Sequence, residues 1–124
     1  MTDIKKKTIV VVGVSHKENK FGFKIFRDLL KNGFNVLGVN PTDGEIAGSK
    51  IHRNLKEINT TIDLVITVVP ASVTERIVDE CRQLGIKEIW MQPGSESNAA
   101  IEKAEKNGIS VVHNACFMVE KGIW

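Results

Sequence analysis

No apolar run in this 124-residue chain approaches the roughly 18 residues that a membrane span requires, so no membrane role is expected. The N-terminal stretch, residues 1–7, carries charge but no apolar h-region, which argues against a secretory leader. Only two cysteines are present, Cys81 and Cys116, too few for a disulfide framework and without a metal-ligand pattern. Neither C-x-x-C nor H-E-x-x-H occurs, and His16, His52 and His113 are scattered, so a metal site is not expected. A net charge of +2 is too mild to imply a nucleic-acid partner, and the run Lys5-Lys6-Lys7 reads as a solvated tail. Internal repeats and low-complexity linkers are also lacking. These absences leave one ordinary α/β-sized unit over residues 1–124, in the cytoplasm, with reduced thiols.

What is there is a regular alternation. Residues 8–13 read as a strand, an unbroken β-branched run from Thr8 to Val12 ending at Gly13, the mark of burial on both faces. Residues 22–32 put Ile25, Phe26, Leu29 and Leu30 on one stripe and end at Gly33, as a helix does. A second strand over 35–39 stops at Asn40-Pro41. Residues 43–51 read as irregular, leading to a short helix near 55–58. A third strand over 63–69 stops at Pro70, and residues 71–84 carry Val73, Ile77, Val78 and Cys81 at helical spacing before Gly85. Residues 86–91 and 109–113 give the fourth and fifth strands, separated by a helix that Ser95 or Ser97 caps and Gly108 closes. Strand, helix, strand in this order builds right-handed βαβ units. The expected fold is a Rossmann-like three-layer domain, an about five-stranded parallel sheet with helices on both faces. Ligands in such sheets bind beyond the carboxyl ends of the strands, which directs attention to residues 13–22, 39–41, 68–73 and 92–94.

The first of these segments reads as a phosphate cradle. Gly13 lets backbone N–H groups approach an anion at a helix N-terminus, and Lys17 and Lys20 supply compact positive charge. The loop is not a dinucleotide fingerprint, because the next glycine after Gly13 is Gly22. An NAD site also places Asp or Glu at the end of the second strand, where this chain has Asn40; a neutral residue better tolerates a phosphorylated ribose. Lys24 and Arg27 could add charge, or all four cations could simply solvate a loop and a helix face.

In order and spacing, five segments resemble the CoA-binding domain family, the stand-alone relatives of the N-terminal domain of the succinyl-CoA synthetase alpha subunit. They are Val12-Gly13-Val14-Ser15, Val39-Asn40-Pro41 with Glu45-Ile46-Ala47-Gly48, Val68-Val69-Pro70, Trp90-Met91-Gln92-Pro93-Gly94, and residues 116–120. The resemblance implies that phosphates and adenosine of coenzyme A or acyl-CoA lie among Gly13, Val14, Ser15, Lys17, Lys20, Gly22, Val39, Asn40 and Pro41. It implies an adenine-side wall of Val69 and Pro70, with Val73 and Gln92 completing the set. Lys17-Glu18-Asn19 depart from the proline-containing loop common in that family.

Each residue also has a plainer role. Pro70 can simply start a helix at its first position. Gln92 can bond the amides of a pantetheine arm or cap the following helix. Cys81 lies on an apolar helical stripe and reads as core, as does Trp90; Cys116 with His113 nearby is no demonstrated nucleophile and base. The ligase relatives use a histidine in a further domain, so ligase activity by this chain alone is not expected. The reading is non-catalytic binding of CoA or acyl-CoA. An NAD(P)-binding Rossmann oxidoreductase or redox sensor and a detached subunit of an acyl-CoA ligase are the alternatives, and a protein partner or homodimer stays open.

Overall fold

The computed structural model describes residues 3–124; Met1 and Thr2, part of the N-terminal stretch and of the 1–124 span, lie outside the described residues. A seven-stranded sheet in the order β3-β4-β2-β1-β5-β6-β7 forms the middle layer. The strands are β1 (Thr8–Val12), β2 (Asn35–Val39), β3 (Gly44–Ile46), β4 (Ser49–His52), β5 (Leu64–Thr67), β6 (Glu88–Met91) and β7 (Ser110–Val112). All pairings are parallel except β3 with β4. The helices are α1 (Phe21–Lys31), α2 (Ala71–Leu84), α3 (Asn98–Lys106) and α4 (Phe117–Glu120).

Alternation along the strands divides the core in two. Val10, Val12, Val65, Ile89 and Met91 face α2 and α3, meeting Ile77, Val78, Cys81, Ala100 and Ala104. Ile9, Val11, Leu64, Ile66 and Trp90 face α1 and α4, meeting Ile25, Phe26, Leu29, Phe117 and Met118. Central β1 is sandwiched by both layers, which is why its sequence is apolar without interruption. The Phe117 ring packs edge-on between Trp90, 5.1 Å away, and Phe34, 6.3 Å away. Each such pair adds about 0.5–1.5 kcal/mol beyond area burial, fixing α4 against the sheet.

Two expectations need correction, and one alternative is resolved. The sheet has seven strands because residues 44–52 form a hairpin, its turn at Ala47 (φ 52°) and Gly48 (φ 80°). Only Ile46 and Ile51 of that hairpin are buried, too few for a period-two pattern to show. The short helix near 55–58 is a 3-10 turn, Leu55–Glu57, whose Asn54 side chain accepts from the Glu57 N–H. Of the two serines, Ser97 caps α3 by accepting from Ala100 N–H, whereas Ser95 is buried elsewhere.

Candidate functional site

The chain leaves β1 for β2 on one side and reaches β5 on the other, so the crevice of this sheet opens beyond the carboxyl ends of β1 and β5. Gly13 turns there with φ 106°, and the Val39 carbonyl accepts from both Gly13 and Val14 N–H, at 3.0 and 3.2 Å. A Cβ on Gly13 would stand 2.2 Å from the Val68 carbonyl oxygen, so only glycine permits this approach. Asn40 ties the loops together, donating from Nδ2 to the Val14 carbonyl at 2.6 Å and accepting at Oδ1 from Thr42 N–H at 2.7 Å. Its neutral amide is a bracket within the protein. Ser15 Oγ accepts from Lys17 N–H at 3.0 Å, and His16 Nε2 lies 2.9 Å from the Thr42 carbonyl oxygen.

Three cavities follow one another along this edge. The first, about 320 Å³, lies on the α2 side and is lined by Val12, Gly13, Val39, Pro41, Val69, Val73 and Ile77, with Arg53, Asn54, Arg76 and Glu80. The second, broad and open, is lined by Lys20, Val68, Val69, Pro70, Pro93, Gly94 and Ser95. The third, about 200 Å³, lies on the α1 side between Phe21, Ile25, Val68, Gln92, Pro93, Cys116 and Trp124. Val69 is common to the first and second, Val68 and Pro93 to the second and third, so the three run end to end across the sheet edge.

The middle cavity sits between two helix N-termini. Lys20 precedes α1 and Pro70 precedes α2, and neither makes a side-chain cap bond, in contrast to Ser97 at α3. The positive dipole ends of α1 and α2 therefore flank a place suited to an anion. Its floor is rigid. Ser95 Oγ lies within 3.0 Å of Thr67 Oγ1, the Thr67 carbonyl and the Gln92 carbonyl, while Thr74 Oγ1 donates to the Ser95 carbonyl at 2.7 Å.

Of the candidate residues, Gly13, Val39, Pro41, Val69 and Val73 meet at the first cavity, and Lys20 and Pro70 at the second. Gln92 is at the third, but its amide is engaged: Oε1 accepts from Phe117 N–H at 2.7 Å and Nε2 donates to Cys116 Sγ at 3.3 Å. It thus caps α4, not the helix that follows it. Val14 departs from expectation, its side chain being buried in the α1-side core. Gly22, Ser15 and Asn40 shape the loops, and Lys17 is exposed on the first of them without lining a cavity. Lys24 lies 5.7 Å over the Phe21 ring and Arg27 pairs with Asp28 at 2.8 Å, so both are spent on α1 itself. Missed by sequence reasoning were Arg53, Arg76 and Phe21; Trp124 reads from the sequence as a partner-interface residue if exposed, not as the cavity-lining residue it is here. Arg53 follows β4 and Arg76 lies within α2, single charges outside any motif, and only the fold brings them to one cleft. No group of three or more His, Cys, Asp or Glu that could hold a metal ion is found among the described residues.

This geometry agrees with comparison to known proteins. A family model described as a CoA-binding domain matches residues 7–122. The chain belongs to the CoA-binding domain family. It is 29% identical over 119 residues to the ADP-forming acetate–CoA ligase II subunit alpha of Pyrococcus furiosus, covering 87% of this chain and 26% of that subunit. The chain thus spans about a quarter of that relative's length. It is 25% identical to the uncharacterized protein YneT of Bacillus subtilis, covering 96% of this chain and 88% of YneT. A solved conserved hypothetical protein from Pyrococcus furiosus superimposes with a TM-score of 0.88 at 38% identity, covering 92% of this chain and 98% of the other. The α/β Rossmann-like fold is common to both. Among the described residues no helix is long and apolar enough to cross a membrane.

Proposed function

We propose that this chain, acting as one domain in the cytoplasm, binds coenzyme A or an acyl-CoA without catalysing a reaction on it. One observation carries the reading: three cavities run end to end across the sheet edge, with two uncapped helix N-termini and Lys20 at the middle one. That sequence of environments matches the ligand. The adenosine fits the apolar cleft of Val39, Pro41, Val69 and Val73, and Arg76 at its rim offers charge to the ribose phosphate, Arg53 being paired with Glu57 at 3.0 Å. The pyrophosphate fits the helix N-termini. The pantetheine arm then passes Val68 and Pro93 toward Cys116.

Calorimetric titration with CoA, acetyl-CoA, NAD and ATP tests this reading. CoA is expected to bind most tightly among CoA, NAD and ATP; an NAD affinity equal to or above that of CoA overturns it in favour of an NAD(P) protein. A second reading, that the chain is a detached subunit, is favoured by its match to about a quarter of a ligase subunit alpha. In that case a separate chain supplies the catalytic residues. Conversion of acetyl-CoA, ADP and phosphate by the purified chain alone would contradict both forms of the proposal.

A further inference from the structure

We propose that the α1-side cavity holds the acyl group of a short, unbranched acyl-CoA, making the thioester rather than free CoA the preferred ligand. This rests on the reading of the sheet edge as a CoA seat. The cavity adjoins the middle one through Val68 and Pro93, so it receives whatever extends past the pyrophosphate position, which for CoA is the thiol end.

Its walls are carbon. Phe21, Ile25, Val68, Pro93 and Trp124 form them, and the two polar side chains at its floor are already committed. Gln92 uses one end of its amide on the Phe117 N–H and the other on Cys116 Sγ, so neither end lacks a partner that a polar occupant would have to supply. A site of this character rewards apolar surface, and a carboxylate in it finds no cation among the lining residues, Lys24 lying outside them over the Phe21 ring. Size sets the class. An apolar cavity of about 150 Å³ takes up benzene, so the 200 Å³ here suits a chain of a few carbons.

The exposed aromatics find their explanation here. Phe21 is 65% and Trp124 45% exposed, although both are large and apolar. They are held at the mouth of the cavity, their ring centroids 6.2 Å apart. Trp124 Nε1 donates to Asp28 Oδ2 at 2.8 Å and its backbone N–H to the Met118 carbonyl at 3.2 Å, fixing the indole in place. The Arg27 guanidinium and this indole N–H hold the Asp28 carboxyl below its usual range. Unlike a lone exposed apolar side chain, two neighbouring rings at a cavity mouth offer a joint apolar surface. A chain lying between the two rings covers it.

Titration with CoA, acetyl-, butyryl-, hexanoyl- and succinyl-CoA tests the proposal on the wild-type protein and on Phe21→Ala, an exposed position where the fold is not at stake. Affinity is expected to rise about twofold to fourfold per methylene from acetyl to hexanoyl, the upper value being that of full burial. Succinyl-CoA is expected to bind more weakly than butyryl-CoA, and Phe21→Ala to lower the hexanoyl-to-CoA affinity ratio severalfold. Tight CoA binding with a flat acyl series, succinyl-CoA equal to butyryl-CoA, or an unchanged ratio in Phe21→Ala overturns this proposal alone. So does a flat series together with a dimer, seen by sedimentation, that Phe21→Ala dissociates, since the rings then serve a second copy. Failure of CoA and every acyl-CoA to bind overturns the CoA reading itself.

Discussion

Gly22, in the first turn of α1, lies so close to Gly13 that a Cβ on it would stand 2.0 Å from the Gly13 carbonyl oxygen. The contact is backbone to backbone and cannot be relieved by a rotamer change. It brings the N-terminus of α1 down onto the turn after β1, and this sets where the first N–H groups of the helix point. Gly22→Ala is therefore expected to cost about 1–3 kcal/mol as an overpacking change and to weaken CoA binding with it. Gly33→Ala is the control: that residue, unlike Gly22, has positive φ, 79°, but nothing lies within 4 Å of its Cβ position. It should lose only the roughly 1–2 kcal/mol of a left-handed conformation and leave binding unchanged. Urea unfolding and titration on both variants separate the two effects.

The cations divide by position. Lys20 lines the cavity at the helix N-termini, whereas Arg76 lines the adenosine-side cleft. Lys20→Ala is expected to weaken CoA and dephospho-CoA equally, by about tenfold for one charge-assisted hydrogen bond. Arg76→Gln is expected to weaken CoA while sparing dephospho-CoA, because only CoA carries the 3′-phosphate. Lys17→Ala should change little at ordinary ionic strength, since an exposed charge away from the ligand is screened. Equal losses on both ligands for Arg76→Gln would place the 3′-phosphate elsewhere.

How much of this was legible in the sequence follows from the range of each signal. β1 announces itself because burial on both faces demands Ile9 to Val12 without a polar break, and α1 and α2 show their stripes and their glycine stops. The β3–β4 hairpin does not, since its register depends on β4 pairing with Gly38 and Val39 of β2 rather than on its own pattern. Gly13 and the prolines of the edge are legible because turn chemistry is local. Arg53, Arg76 and the Phe21–Trp124 pair are not. Phe21 and Trp124 meet only after α4 folds back on the sheet, at a separation of 103 positions in the chain read from Phe21 and Trp124.

Gln92 supports α4 through one buried bond. Replacing it by leucine keeps the bulk but leaves the Phe117 N–H without its acceptor, in a buried place. The expected loss is about 1–3 kcal/mol, the cost of an unsatisfied donor. Thermal unfolding measures it; a variant as stable as wild type would mean that α4 does not depend on this cap.

The two cysteines should behave oppositely. Cys81 is fully buried against the sheet, and burial, with a smaller contribution from Glu80, pushes its thiol from 9.0 up to about 12. A thiol raised in the folded state keeps its proton there while the unfolded chain releases it. Stability is thus unaffected below about pH 9 and declines as pH rises through the 9.0 to 12 window. Cys116 is half-buried, lines the α1-side cavity and stands where the pantetheine arm is proposed to end. Exchange requires access to a disulfide sulfur, which the position of Cys116 offers and that of Cys81 does not. Incubation of the native protein at pH 8 with CoA disulfide is expected to give one CoA adduct by mass spectrometry, lost in Cys116→Ser and retained in Cys81→Ala. An adduct on Cys81, or none on Cys116, would show that the arm does not run across the sheet edge to the loop before α4.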